Sequence, residues 1–153
     1  MTRLNAYIGS PTERIEDLRL LTGRGAFVGD LTADGLLHAA ILRSPIAHGR
    51  IRNIDRAAAL ELAGVVAVIT AADIGNVPYI PIRQHGLPEG EAYRQPVIAT
   101  GKVRYVGEPV AVVVAADPAV AEDALGLIGL EIDELPPVAD HVAAASDKTL
   151  LFE

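Results

Sequence analysis

Hydrophobic and polar residues alternate along the first half of the stretch from Lys102 to Ala115, and the second half is continuously apolar. Alternation is typical of a strand with one solvated face, and a short β-branched run is typical of a fully buried strand. Gly107 and Pro109 lie where the pattern changes; glycine permits a bulge there, and proline can begin a strand. We therefore predict that the chain bends at this point and passes from an exposed ribbon into the core.

The order strand, helix, strand is predicted twice along the chain. In the first unit Asp55 caps a helix that Gly64 ends, and a β-branched strand follows. In the second unit Asp117 caps a helix with Pro118 at its first position, and Gly129 ends it before an alternating strand. Two such units predict an α+β fold in which the strands form a mixed sheet.

A long segment between these units lacks a periodic pattern. It runs from Gly75 to Gln95 and is interrupted by several prolines. Because a structureless segment of this length in a compact domain is usually functional or disordered, we expect a lid, a channel wall or a subunit contact here. Just before it, Thr70 and Asp73 have the spacing of a helix cap.

Composition excludes several classes of site and indicates a compartment. The chain has 153 residues, no cysteine and a net charge of −7. A disulfide framework, a Cys-ligated metal cluster and a thiol nucleophile are therefore excluded from this chain. Lys148 is the only Lys or Arg after Arg104, which argues against nucleic-acid binding. With no signal peptide at the start and no apolar run of membrane-spanning length, we expect a cytoplasmic protein without membrane contact.

Two short motifs invite a catalytic or binding interpretation. Ser44 and His48 are four residues apart, as a nucleophile and its base could be, but Pro45 lies between them and no nucleophile-elbow motif surrounds the serine. Gly23 and Gly25 invite comparison with a dinucleotide loop, yet turn residues rather than a helix follow them. The residues favour an ordinary turn and a structural glycine loop, and they form no self-sufficient active site.

Four segments in order carry a family resemblance. They are residues 20–30, 43–51, 64–70 and 103–111. Together they resemble the N-terminal α/β-hammerhead domain of the molybdenum-binding large subunit of the xanthine dehydrogenase, aldehyde oxidase and carbon monoxide dehydrogenase family. The resemblance implies a lead-in over residues 1–12, an α/β-hammerhead domain over 13–140, and the start of a linker to a missing molybdopterin-binding domain over 141–153.

The resemblance also implies a function. Family members are molybdopterin-dependent oxidoreductases that hydroxylate aldehydes or N-heterocycles or oxidise carbon monoxide, with iron–sulfur clusters and FAD in partner subunits or domains. Their cofactor-binding loops lie in later domains, so this chain is expected to hold no cofactor, to be inactive in isolation and to be a subunit fragment or split gene product. Its expected partners are the remaining molybdopterin-binding domains and the iron–sulfur and flavin subunits.

Two groups of residues receive roles by position in that family. The residues before the central strand, Val97 and Ile98, are expected to line the approach to the molybdenum site. Domain or subunit interfaces are expected at two further segments, with the residues Gly23, Arg24, Gly25, Arg43, Ser44 and His48. The role predicted for this chain is thus a structural domain that shapes the substrate entrance.

A different class of function stays open from the sequence. Hammerhead motifs are topologically similar to biotinyl and lipoyl carriers, so the chain could be a free-standing binding or carrier module without redox chemistry. Lys102 and Lys148 are the only lysines that such a carrier could modify.

Overall fold

The chain divides into two units of unequal size. The computed structural model describes Gly9 and residues 11–81, 88–146 and 148–152. One unit spans Met1–Asp34 and the other spans Gly35–Glu153. The part of the predicted irregular segment between 82 and 87 lies outside the described residues, as does most of the predicted lead-in.

The smaller unit contains little regular structure. A helix, α1, spans Asp17–Leu21, and a 3₁₀ turn spans Val28–Asp30. In this turn the backbone N–H of Phe27 donates to the Asp30 carboxylate at 2.9 Å. Neither element has a buried residue. Packing within these two elements therefore does not shield their apolar side chains from water.

The larger unit contains six strands and four helices among its described residues. The strands are β1 (His38–Arg43), β2 (Gly49–Asp55), β3 (Val65–Thr70), β4 (Lys102–Val103), β5 (Pro109–Ala115) and β6 (Gly129–Glu134). The helices are α2 (Ala57–Glu61), α3 (Ala71–Ile74), α4 (Pro118–Leu125) and α5 (His141–Ala144), and a 3₁₀ helix spans Pro88–Tyr93.

The strands form two antiparallel sheets, ordered β1-β5-β3 and β4-β2-β6. The α+β architecture is as predicted, but the single mixed sheet is wrong. A helical crossover makes neighbouring strands parallel only when it returns to the same sheet. Here α2 connects β2 of the second sheet to β3 of the first, and α4 connects β5 of the first sheet to β6 of the second. The two predicted strand-helix-strand units thus link the sheets.

The core lies around β5, the middle strand of the first sheet. Ala111, Val113 and Ala115 are fully buried and pack with Ala121 and Ala124 of α4. Alanine on the inner face of a helix permits close approach to a sheet, because no long side chain separates the two backbones. Inferred from the sequence as a fully buried strand, β5 is thus confirmed as the central element of the larger unit.

Helix caps account for where two of the helices begin. The Asp117 carboxylate accepts from the N–H groups of Ala119 at 2.8 Å and Val120 at 3.3 Å, and Pro118 begins α4. These contacts satisfy donors that the helix itself cannot pair. At α3 the Asp73 carboxylate accepts from the N–H of Thr70 at 2.8 Å. Both caps agree with the sequence prediction.

Candidate functional site

Two backbone segments meet where the chain passes from one sheet to the other. Residues 44–48 connect β1 to β2, and residues 104–108 connect β4 to β5. The N–H of Ser44 donates to the carbonyl of Glu108 at 2.9 Å, and the N–H of Gly107 donates to the carbonyl of Ser44 at 2.8 Å. We call this pair of segments the corner. These hydrogen bonds lie between the β1–β5 pair of the first sheet and the β2–β4 pair of the second, so they join the two paired regions.

A buried ion pair lies in the corner. The Glu108 side chain is fully buried, and its carboxylate accepts from the backbone N–H of Arg104 at 2.5 Å and from Arg104 Nη1 at 3.2 Å. Nη1 also donates to the carbonyl of Lys102 at 3.2 Å. A buried carboxylate without such partners would be strongly destabilising. Glu108 therefore has a structural role in holding the 104–108 turn closed.

Ser44 and His48 are both buried in the corner. Ser44 Oγ donates to the carbonyl of Ile46 at 2.8 Å and accepts from the N–H of that residue at 3.1 Å. His48 Nδ1 is 3.0 Å from the carbonyl of Pro136. Both side chains bond to backbone, and no hydrogen bond between them occurs in the described part of the chain. The turn interpretation therefore accounts for these residues better than a hydrolytic dyad does.

The predicted interface residues differ in how far they reach the surface. Ser44 is 2% exposed and His48 is 4% exposed, so their side chains lie inside the larger unit. Arg43 is exposed, although its Nη1 donates to the carbonyl of Gly107 at 2.8 Å. Of these three residues, only Arg43 presents its side chain for an external contact.

The glycine loop lies in the smaller unit. Gly23 has a φ of +70°, which disfavours other residues, and a Cβ on Gly25 would lie 2.8 Å from Leu20 Cδ2. Arg24 between them is exposed, and its N–H donates to the carbonyl of Arg19 at 2.9 Å. Gly23 is therefore suited to its backbone conformation and Gly25 to the close approach of Leu20. The Arg24 side chain between them is exposed to solvent.

The two predicted channel residues differ in exposure. Val97 is 40% exposed, and its N–H donates to the carbonyl of Pro78 at 3.0 Å. Ile98 is 3% exposed and belongs to the core. The backbone bridge between Tyr79 and Pro96 holds this segment against the start of the irregular region. Val97 is therefore the residue of the pair that presents a surface for lining a channel.

A cleft of about 680 Å³ opens beside β2, β3 and α3. On its wall, Arg56 Nη1 donates to the Asp73 carboxylate at 2.5 Å and to the carbonyl of Val68 at 2.7 Å. The hydrogen bond from Arg56, supported by those from the backbone and side chain of Thr70, lowers the pKa of Asp73 well below its usual range. Asp73 is thus ionised at neutral pH, and the pair joins the start of α2 to the first turn of α3.

A metal site and a modified lysine are two further kinds of functional site. No group of three His, Asp or Glu side chains suited to a metal ion occurs among the residues that the structure describes. No helix in the described ranges is long and apolar enough to cross a membrane. Lys102 is half-buried in β4 rather than at a hairpin tip, so this lysine gives the carrier alternative no support, whereas Lys148 is exposed in a turn.

Comparison with known proteins identifies the family. Residues 22–136 match the family described as aldehyde oxidase and xanthine dehydrogenase, a/b hammerhead domain. The chain belongs to this family. The match covers both strand-helix-strand units, the corner and the two glycines of the loop in the smaller unit, as the resemblance predicted.

Similar proteins include the large subunit of a hydroxylase and an oxidoreductase of known structure. The nicotine 6-hydroxylase large subunit of Paenarthrobacter nicotinovorans is 48% identical over 133 residues, which are 87% of this chain and 16% of that protein. The structure of quinoline 2-oxidoreductase from Pseudomonas putida 86 has a TM-score of 0.78 and 44% identity, covering 90% of this chain and 18% of that one. Hammerhead-family membership therefore rests on both sequence and structure.

A third similar protein is a CO dehydrogenase that contains copper and molybdenum. The Cu,Mo-CO dehydrogenase structure has a TM-score of 0.81 and 36% identity, over 94% of this chain and 17% of that one. Across these comparisons, this chain spans less than a fifth of the relative's length. The region that it matches is therefore a small part of each of these much longer relatives.

Sequence reasoning missed the buried Glu108. The glycine and proline on either side of it marked the bend, but the acid between them received no role. A usable signal was present: a carboxylate directly before a fully apolar strand, with an arginine four residues earlier. A charged residue at the start of a buried strand needs a partner, and Arg104 was the nearest candidate.

Proposed function

We propose that this chain is the substrate-entrance domain of a molybdenum hydroxylase large subunit, and that it packs against the domains that bind the cofactor. It is not catalytic by itself. The observation that supports this role most directly is the exposed apolar surface of the smaller unit, in a chain of the hammerhead family.

That surface is formed by large apolar side chains on α1 and in the segments before and after it. They are Ile15, Leu18, Leu21, Phe27, Val28 and Leu31, and they are between 64% and 98% exposed. Contiguous exposed apolar groups on a protein surface usually mark an interaction site. We infer that other domains of the large subunit cover them, and that Arg24 and Arg43 contribute at the edges of such interfaces.

The entrance role rests on Val97. Its exposed side chain lies next to the buried Ile98, in a segment that the bridge between Tyr79 and Pro96 holds in place. An apolar side chain on a held backbone is suited to lining a passage for apolar substrates. We propose that Val97 contacts substrates on their way to the molybdenum site, with Ile98 supporting it from the core.

The domain boundaries complete the proposal. We propose that the hammerhead domain extends over residues 13–140 after a lead-in over 1–12, and that 141–153 begins the linker to the next domain. Molybdopterin would be bound by those later domains, and iron–sulfur clusters and FAD by partner subunits. We place the parent enzyme in the cytoplasm, since a chain without cysteine is compatible with a reducing compartment.

The interface is tested in the complete large subunit that contains this sequence, expressed together with its partner subunits. Leu21→Asp places a charge in the exposed apolar surface, and we expect loss of most of the bound molybdenum and of co-purifying subunits. Thr32→Asp adds the same charge in the same unit without removing an apolar group, and we expect assembly to be unchanged. Normal molybdenum content in the Leu21 variant would refute the interface.

The entrance is tested in the same assembled enzyme. Val97→Trp narrows the proposed passage, so we expect KM to rise for a bulky substrate and to change little for a small one. Val106→Trp is the control, because Val106 is 63% exposed elsewhere on the larger unit. Equal effects of the two variants on both substrates would remove the entrance role and leave the interface role standing.

A further inference from the structure

A second cleft, of about 420 Å³, is lined by cations and aromatic rings. It opens beside β2 and β4, with the segment near residue 152 on its other side. The charged and aromatic residues in its wall are Arg50, Arg94, Lys102, Arg104, Tyr79 and Phe152. The chain as a whole has a net charge of −7, but four cationic side chains line this one cavity, so its wall is rich in positive charge.

Two of the guanidinium groups are held in place by aromatic rings. The guanidinium carbon of Arg94 lies 5.5 Å from the centre of the Tyr79 ring, and that of Arg104 lies 5.2 Å from the centre of the Phe152 ring. The Phe152 ring is itself fixed by an edge-to-face contact with Tyr93 at 5.9 Å. A stacked guanidinium loses little further entropy when its edge binds an anion. The cleft is therefore preorganised for a negatively charged group.

The arginines also retain hydrogen-bonding capacity. Arg50 has no ion pair with any carboxylate among the described residues, and it is exposed. Arg94 Nε lies 3.0 Å from Glu91 Oε2, but the two are not aligned for a hydrogen bond, and the Glu91 side chain is 61% exposed. Such an exposed ion pair is weak. The Glu91 carboxylate therefore does little to prevent Arg94 from binding another anion.

The same holds for Arg104. Its Nη1 is used by Glu108 and by a backbone carbonyl, while its buried Nε has no acceptor in the described part of the chain. A buried donor without an acceptor is destabilising. If the Arg104 guanidinium turns toward a bound oxyanion, the oxyanion can accept from this donor and remove that cost. Arg50, Arg94 and Arg104 thus offer donors from three separate segments that line one cavity.

We propose that this cleft is a binding site for a small oxyanion that carries phosphate or carboxylate groups. Planar guanidinium groups bind both of these groups through paired N–H donors. A volume of 420 Å³ accommodates an ion of this size together with water. All of the residues that line the cleft belong to this chain, so anion binding can be measured without the parent enzyme.

The test is an NMR titration of the metal-free 153-residue chain, with inorganic phosphate in one arm and succinate in the other. Sodium chloride keeps the ionic strength constant, because simple screening would otherwise mimic binding. We expect saturable shifts of the backbone amides of Thr100 and Gly101, which line the cleft, at a Kd near ~1 mM or below. The arm with the tighter Kd identifies the chemical group. Non-saturable shifts in both arms would overturn the proposal.

Two matched variants locate the site. Arg50→Gln should raise the Kd about tenfold, since one charge-assisted contact is lost. Arg52→Gln removes the same charge from the same strand but lies on the other cleft, where Arg52 pairs with Asp133, and should leave the Kd unchanged. Equal weakening by both variants would mean that only overall charge matters, and would overturn the proposal. Since the readout needs no parent enzyme, failure here leaves the entrance role untouched.

Discussion

The two units of the chain differ in how far their apolar side chains are exposed to solvent. In the smaller unit, Ile15 is 98% exposed and Val28 is 86% exposed. In the larger unit, Val110 and Val113 of β5 are fully buried between neighbouring strands. The difference follows from what each segment pairs with. β5 has a strand on each side and α4 against it, whereas α1 is a five-residue helix, too short to be stable by itself.

This contrast shows what an apolar pattern does and does not specify. It indicates that a side chain will be buried, but not whether the same polypeptide segment buries it. For β5 the partners lie within this chain. For the surface on α1 we infer that they lie in the remaining domains of the large subunit, and this inference can be tested by comparing matched substitutions in the two units.

The largest expected effect is at the buried ion pair. Glu108→Ala leaves Arg104 without its carboxylate, and we expect a loss of about 3 kcal/mol in the free energy of unfolding. Its counterpart in the smaller unit is Glu16→Ala, which breaks exposed ion pairs with Arg14 and Arg19 and should cost about 0.5 kcal/mol or less. Urea unfolding followed by circular dichroism measures both. Similar costs would mean that the Glu108 pair is not structurally important.

The next effect concerns the apolar contrast itself. Val113→Ala removes two buried methyl groups and should cost about 2 kcal/mol. Val28→Ala should change stability by less than about 0.5 kcal/mol in the isolated chain, because its side chain is already in water. The same urea experiment measures both variants. A cost for Val28→Ala equal to that for Val113→Ala would contradict the exposure of the smaller unit.

A smaller effect is expected at a glycine in the second sheet. A Cβ on Gly49 would overlap the Ile132 side chain and lie 2.8 Å from the carbonyl of Asp133, so Gly49→Ala should cost about 1 to 2 kcal/mol. A Cβ on Gly29, in the smaller unit, meets no atom within 4 Å. Gly29→Ala should therefore be neutral or stabilising by about 0.5 kcal/mol. Thermal unfolding of both variants provides the comparison, and equal losses would show that the close approach at Gly49 does not limit that site.

The smallest effect is a pH dependence in the larger unit. Because Arg56 and Thr70 lower the pKa of Asp73 in the folded state, the unfolded state binds more protons as the pH falls. The contribution of Asp73 is thus fully present above its unfolded pKa of about 3.9 and is lost on further acidification. We expect the difference in melting temperature between the native chain and Asp73→Asn to shrink between pH 6 and pH 3.

Arg56→Gln is the control for that experiment. It removes the main cause of the lowered pKa of Asp73, so its difference from the native chain should shrink in the same direction. If the difference in melting temperature between the native chain and Asp73→Asn did not change with pH, the ionised Asp73 carboxylate would not stabilise the folded state.

Local signals in the sequence were sufficient for much of the larger unit. The apolar run of β5, the Asp117 cap with Pro118, and the Thr70 and Asp73 spacing all predicted elements that the structure contains. Each depends on neighbours a few residues away. Helix ends were less accurate: α4 ends at Leu125, and Gly129 instead begins β6.

Long-range features could not be predicted in the same way. Nothing local distinguishes a helix that returns to its own sheet from one that leaves it, so the single mixed sheet was wrong. The pairing of Glu108 with Arg104 had a local signal, but the complete burial of Glu108 depends on contact with the distant segment at Ser44. The cationic cleft depends on Arg50, Arg94 and Phe152, which come from three distant parts of the chain.

The alternation of the strands has a consequence for synthesis of the chain. In order from β1 to β6, successive strands belong to the first and second sheets in turn, and β5 is the middle strand of the first. Until β5 emerges from the ribosome, β1 and β3 therefore have no neighbour, and their edges can pair with other nascent chains. The first sheet cannot form until most of the larger unit has been synthesised. The order of the strands therefore favours slow folding that occurs late in synthesis and is cooperative.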